Sequence, residues 1–159
     1  MKYCIDSSGL LDGWRRHYPP DIIPDLPNLL HDLVVQGRLL IPEDVAKELA
    51  KKDDDLSAWI KNQKEGVVPL DEDIQDVALE ILARFQRLID TRSGRSGADP
   101  FLIVTAQVRD AMVITGEDFA NSLEKPRIPD VCRAMEPPIP CGKFIDIIRR
   151  EKWVFGAQR

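Results

Sequence analysis

Apolar residues in this chain fall in short runs separated by longer amphipathic stretches. Tyr3 to Ile5 is an apolar run that ends on Asp6, and Ser7, Ser8, Gly9 and Leu10-Leu11 follow it. That pattern predicts a buried strand, a tight turn and a helix start. Pro19-Pro20 closes the helix. From Ile22 to Val35, apolar residues recur at helical spacing (Ile22, Ile23, Leu26, Leu29, Leu30, Leu33, Val34), and Gly37 ends the run. Pro24 and Pro27 leave the position of its first turn open. Arg38 to Ile41 reads as a short extended piece. Pro42 opens the next helix, with Glu43 and Asp44 in the first turn where the dipole favours acids, and that helix runs to about Lys52. Another follows over roughly Leu56 to Glu65. Gly66 then leads into Val67-Val68-Pro69-Leu70, a second buried strand.

Asp71 to Ile89 predicts a long amphipathic helix with Ile74, Val77, Ala78, Ile81, Leu82, Phe85 and Leu88 on one side. Asp90 to Ala98 is a loop rich in Arg, Ser and Gly. Asp99-Pro100 opens an apolar helix, and Met112 to Thr115 is a third strand. Gly116 to Pro129 reads as mostly loop, Pro137 to Pro140 as a break, and Lys143 to Lys152 as a last helix. Short buried strands alternating with helices predict an α/β fold with a parallel sheet.

The length, 159 residues, fits one domain. Hydrophobic residues are 43% and charged residues 31%, which excludes a disordered or fibrous chain. The net charge of −5 excludes a broadly basic nucleic-acid coat, but not a local basic strip beside an acidic, metal-charged cleft. Three cysteines, Cys4, Cys132 and Cys141, argue against a disulfide framework. The two histidines, His17 and His31, have no cysteine at zinc-ligand spacing. No apolar run reaches the length of a membrane span, and Asp6 interrupts the first run too early for a signal peptide. The expectation is a reduced, cytoplasmic protein.

The informative feature of the acids is their position. Asp6 ends the first strand, and Glu117 and Asp118 lie just past the third, so they share the carboxyl rim where α/β sheets bind ligands. Asp6 also suits a turn. Asp99 before Pro100 is an ordinary N-cap, yet a carboxylate that caps with one oxygen can face a cation with the other. Glu48 is the acid of its helix nearest the face shared by Val45 and Leu49, where it can also simply cover the core with its methylenes. Carboxylates gathered on one rim repel and need compensation. A hard divalent cation supplies it, and oxygen-only ligands suit Mg²⁺ or Mn²⁺ rather than Zn²⁺. Such a site activates water and holds a phosphodiester for in-line attack. Arg92 and Arg95, in the loop before Asp99, are candidates to touch phosphates, or are solvated loop residues. Trp14, Trp59 and Trp153 read as core or interface anchors.

In order along the chain these residues are strand-Asp6-Ser-Ser8, the helix Glu48, Gly-Ala-Asp99-Pro-Phe-Leu-Ile-Val-Thr-Ala, and Val-Ile-Thr115-Gly-Glu117-Asp-Phe. The order resembles the PIN domain, the metal-dependent ribonuclease fold of VapC-like toxins, over about Lys2 to Phe119. The tail, with Ile128-Pro129-Asp130-Val131-Cys132 and Trp153-Val154-Phe155, is similar to an uncharacterised PIN-like subfamily. The resemblance implies a three-layer α/β/α fold with a central, mostly parallel sheet, in a single domain of core about 2–119 and C-terminal extension about 120–159. It implies catalysis by Asp6, Glu48, Asp99 and Glu117. It also implies Mg²⁺ or Mn²⁺ on Asp6, Asp99 and Glu117, with Asp118 as the alternative to Glu117, and substrate contacts from Ser8 and Thr115. The implied activity is endoribonuclease, as the toxin of a toxin–antitoxin pair. RNA is then the substrate and a helical antitoxin the partner, with a homodimer as a candidate assembly and no membrane.

The last acid departs from the family pattern, where Asp or Asn is commoner than Glu. Other families fit less well. A haloacid-dehalogenase-like phosphatase needs an acid where Ser8 stands, and a receiver domain needs a Lys after its fifth strand. No Gly-rich phosphate loop occurs, because Gly94-x-x-Gly97 lacks the following Lys-Ser/Thr. Two further readings remain beside the ribonuclease: a catalytically silent PIN-like module that binds RNA or protein, and the same fold acting as a phosphatase or DNA nuclease.

Overall fold

A computed structural model describes residues 1–85, 99–122, 124 and 126–156, the side chains of Leu82 and Asp99 excepted. Among the described residues, five strands form one parallel sheet: β1 (Lys2–Ile5), β2 (Leu39–Pro42), β3 (Val67–Val68), β4 (Ala111–Ile114) and β5 (Cys141–Gly142). Their order is β3-β2-β1-β4-β5. Every residue of β2 and β4 is buried, as expected where helices cover both faces of a parallel sheet.

Strand alternation divides the interior into two layers. Tyr3, Ile5, Leu39, Ile41, Met112 and Ile114 face one core cluster, together with α1 (Ser7–Leu11), α2 (Leu26–Val35), α3 (Glu43–Ala50), α4 (Asp55–Lys61) and α8 (Phe144–Glu151). Cys4, Leu40, Ala111 and Val113 face the other, against α5 (Glu72–Arg84), α6 (Asp99–Arg109) and α7 (Ile128–Ala134). The result is a three-layer α/β/α fold. Among the described residues, no helix is long and apolar enough to cross a membrane.

Several boundaries differ from the sequence expectation, each for a local reason. The helix expected from Ile22 begins at Leu26, because the chain around Pro19, Pro20 and Pro24 turns instead, leaving Ile22 exposed. After α1 the helix widens over Asp12–His17, where Tyr18 N–H donates to the Gly13 carbonyl five residues back. The extended piece expected at 38–41 is β2, set one residue later at Leu39–Pro42, and it lies inside the sheet between β3 and β1. The helix expected to Glu65 ends at Lys61, and a single 3₁₀ turn, Lys64–Gly66, follows it. The helix expected to Ile89 is α5, which ends at Arg84 with Phe85 as its C-cap; Ile74, Ala78, Ile81 and Phe85 are buried as expected, while Leu88 and the rest of 86–98 lie outside the described residues.

The last third of the chain holds two elements that periodicity missed. Ile128–Ala134 is a helix with Pro129 in its first turn. Cys141–Gly142 is an edge strand beside β4, with Val113 N–H donating to Pro140 O at 2.8 Å and Thr115 N–H to Gly142 O at 3.0 Å. β5 and α8 therefore complete the sheet and place Phe144 and Ile147 in the core.

Candidate functional site

Strand order reverses at β1. From β1 the chain moves outward to β2 and β3, then returns to the other side of β1 for β4 and β5. The crevice beyond the carboxyl ends of β1 and β4 is thus the switch point, where open α/β sheets bind ligands. Asp6 follows β1 directly and Thr115 follows β4 directly, so both stand on this crevice.

Asp6 is 9% exposed and is held by neutral donors. Its Oδ1 accepts from Gly9 N–H at 2.7 Å, which makes it the N-cap of α1. Thr115 Oγ1 donates to Oδ2 at 2.7 Å, and Ser8 Oγ lies 2.9 and 3.0 Å from the two oxygens. Each hydroxyl passes a backbone donor inward. Gly116 N–H donates to Ser8 Oγ at 2.8 Å, and Glu117 N–H to Thr115 Oγ1 at 3.2 Å. The loop after β4 is therefore registered on Asp6 through two hydroxyls.

Two glycines permit this approach. A Cβ at Gly9 would lie 2.8 Å from the Ile114 carbonyl oxygen, and one at Gly116 would lie 2.5 Å from Asp12 Oδ2. Burial pushes the Asp6 carboxyl up to about 6. The hydrogen bonds from Thr115, Gly9 and Ser8 pull it down, and the charge of Glu117 adds to the rise.

The remaining acids occupy distinct positions. Glu117 Oε2 accepts from Ile128 N–H at 3.0 Å, so its carboxylate reaches the first turn of α7 while still acting on Asp6. Asp118 is 81% exposed and pairs with Lys143 Nζ at 2.8 Å, which holds its carboxyl below the ordinary value. Glu48 is exposed, and its Oε2 accepts from Ser7 Oγ at 2.8 Å, one residue from Asp6. Asp99 is the first residue of α6. That helix leads back to the start of β4, so its N-terminus lies at the carboxyl rim. The Cys4 thiol contacts Leu102 O at 3.8 Å, which places the turn before Leu102 level with Asp6. The Asp99 side chain, and Arg92 and Arg95, lie outside what is described.

Four rim residues escaped the sequence reading. Lys143 Nζ donates to the Gly116 and Glu117 carbonyls at 2.8 and 2.7 Å, fastening the loop that carries the last acids. Asp130 is buried and accepts from the N–H groups of Ala120, Asn121 and Arg127. Burial pushes its carboxyl up, but those bonds outweigh burial and hold it below the ordinary value. Asp12 lies against Gly116 and pairs with Arg16 at 3.3 Å. Asp44, one turn before Glu48, has a buried Oδ1 with no hydrogen-bond partner among the described residues, and burial pushes its carboxyl up, with Glu48 and Glu43 adding to it. Burial and the charges of Asp6 and Asp44 push up the Cys4 thiol, so both acids are near it. Only Asp130 carried a signal in sequence, an acid three residues into a helix start.

The donor set is hard oxygen throughout. A buried carboxyl raised by burial and a like charge, and an orphaned carboxylate oxygen, are what a bound divalent cation would relieve. Among the described residues, which omit the Asp99 side chain, no three metal-ligating side chains gather at one point.

No curated protein matches the chain. The model of one family, described as a domain of unknown function (DUF4411), matches residues 3–155. That match takes in Asp6, Thr115, Glu117 and Lys143 as well as β5 and α8, and the chain belongs to the DUF4411 family.

Proposed function

We propose that this protein is a Mg²⁺- or Mn²⁺-dependent endoribonuclease of the PIN-like kind, the toxin of a toxin–antitoxin pair. The observation that carries the reading is Asp6: a buried carboxylate at the sheet's switch point, oriented by Thr115, Ser8 and Gly9 and loaded by the charge of Glu117. Asp6 and Glu117 would hold the cation together with Asp99, whose position at the start of α6 suits that role. A bound cation supplies a Lewis acid for phosphoryl oxygens and lowers the pKa of a coordinated water. The protein's own work is orientation. Ser8 and Thr115 fix the Asp6 carboxylate, and Lys143 holds the backbone on which Glu117 is mounted. Glu48, exposed beside Ser7, would take a proton from water at the rim.

The test is cleavage of labelled RNA and DNA with Mn²⁺, with chelator, and with Asp6→Asn. Cleavage of RNA that needs the metal and Asp6 supports the reading, and wild-type rates in Asp6→Asn sink it. A second reading, a catalytically silent module that binds RNA or protein, is favoured by the bond between Glu117 and Ile128 N–H, which engages one oxygen of a proposed ligand. RNA binding without cleavage at any metal concentration would select it.

A further inference from the structure

Two of the three cysteines, Cys132 and Cys141, lie within hydrogen-bonding reach of one another on the same core cluster. Cys132 lies on α7 and is buried in the core cluster on that side of the sheet. Cys141 is in β5, half-buried and packed against the same cluster. The chain between them doubles back: Ile139 N–H donates to the Cys132 carbonyl at 2.9 Å, two residues before Cys141. In extended chain, Ile139 and Cys141 point to the same side, toward α7. The remaining cysteine, Cys4, belongs to the same cluster and acts on Cys132, but its thiol donates to the Leu102 carbonyl.

We infer that Cys132 and Cys141 form an oxidisable dithiol, which a peroxide converts to a disulfide joining α7 to β5. The inference is independent of the nuclease reading. The Cys132 thiol is pushed up by its hydrogen bond with Cys141 and by burial, so it stays protonated. Cys141 is the less buried residue of the two. In the first step the Cys141 thiolate attacks hydrogen peroxide, the O–O bond breaks, and a sulfenic acid forms with release of hydroxide. In the second, the Cys132 sulfur displaces the Cys141 hydroxyl, the S–S bond forms, and the thiol proton leaves with that hydroxyl as water. Two thiols lose two electrons, and one peroxide becomes two waters. The bridge would pin α7, whose Ile128 N–H holds Glu117, to the strand that precedes Lys143.

The experiment treats the reduced full chain with a small excess of hydrogen peroxide, then denatures, alkylates and weighs it. The expected result is loss of two of the three alkylatable thiols, restored by dithiothreitol, with a cross-linked peptide joining Cys132 and Cys141. Cys4→Ser should give the same bridge, and Cys141→Ser none. Should a variant fail to fold, the wild-type peptide map decides alone. Three alkylatable thiols after oxidation, a bridge that includes Cys4, a disulfide between two chains, or a Cys141 sulfinic acid beside an alkylatable Cys132 would each overturn the inference.

Discussion

The Thr115 hydroxyl donates to the Asp6 carboxylate at 2.7 Å, across the crevice between two adjacent parallel strands. A hydroxyl has one proton, and here it goes to Asp6 while the Thr115 oxygen receives the Glu117 N–H. Replacing Thr115 with the isosteric Val removes the relay without changing volume. It leaves a buried carboxylate oxygen short of a donor and a backbone N–H short of an acceptor, and should destabilise by about 1–3 kcal/mol. Thr115→Ser keeps the hydroxyl and should lose much less. Urea midpoints for the two variants decide this, and equal losses would show that the methyl, not the hydroxyl, matters.

The raised Asp6 carboxyl makes a signed prediction about pH. Its value moves from 3.8 to about 6 on folding, so the folded state binds the proton more tightly. The stability this gives is fully present below pH 3.8 and is lost as pH rises through about 6. Asp6→Asn should flatten that part of the profile and leave the metal-free protein as stable as wild type, or more stable, at pH 7. Denaturation midpoints at intervals from pH 3.5 to 7.5 test it. A wild-type profile that matches Asp6→Asn across the window would refute the shift.

If a divalent cation relieves the same burial and repulsion, Mn²⁺ should raise the melting temperature. At 100 times the dissociation constant the gain is about 2.7 kcal/mol, and chelator should reverse it. Asp6→Asn should lose most of the gain. Melting curves and titration calorimetry with Mn²⁺ alone check this, and a flat titration with an unchanged melt would rule the cation out.

The parts of this fold legible in sequence were those whose apolar runs end on a marked residue. Tyr3 to Ile5 ending at Asp6, and the run ending at Thr115, gave both strands of the crevice and two of its central side chains. β5 was not legible, because two residues after Pro140 carry no period and owe their strand geometry to the β4 edge. Lys143 was not legible either. It lies 26 positions beyond the Glu117 carbonyl it holds, and only the pairing of β4 with β5 brings them together. Asp44 looks the same in sequence as any acid in a first helical turn. What sets it apart is an unpartnered oxygen, which only packing creates.

The two acids after Thr115 were equivalent in sequence, because Gly116 lets the chain turn and strand alternation then says nothing about either. Their surroundings now separate them. Asp118 is largely in solvent and its charge is answered by Lys143, whereas Glu117 acts on Asp6. Glu117→Gln should therefore lower Mn²⁺ affinity and cleavage at least tenfold, which corresponds to about 1.4 kcal/mol. Asp118→Asn should lose less, since its pair with Lys143 is exposed and the Lys143 bonds to the Gly116 and Glu117 carbonyls remain. Gln retains an oxygen able to accept from Ile128 N–H, so Glu117→Gln should melt near the wild type and its loss should appear in cation binding and rate. Rates at saturating and limiting Mn²⁺, read beside melting curves, make the comparison. Greater damage in Asp118→Asn at both concentrations would reverse the assignment, and wild-type behaviour in both variants would remove this loop from the site.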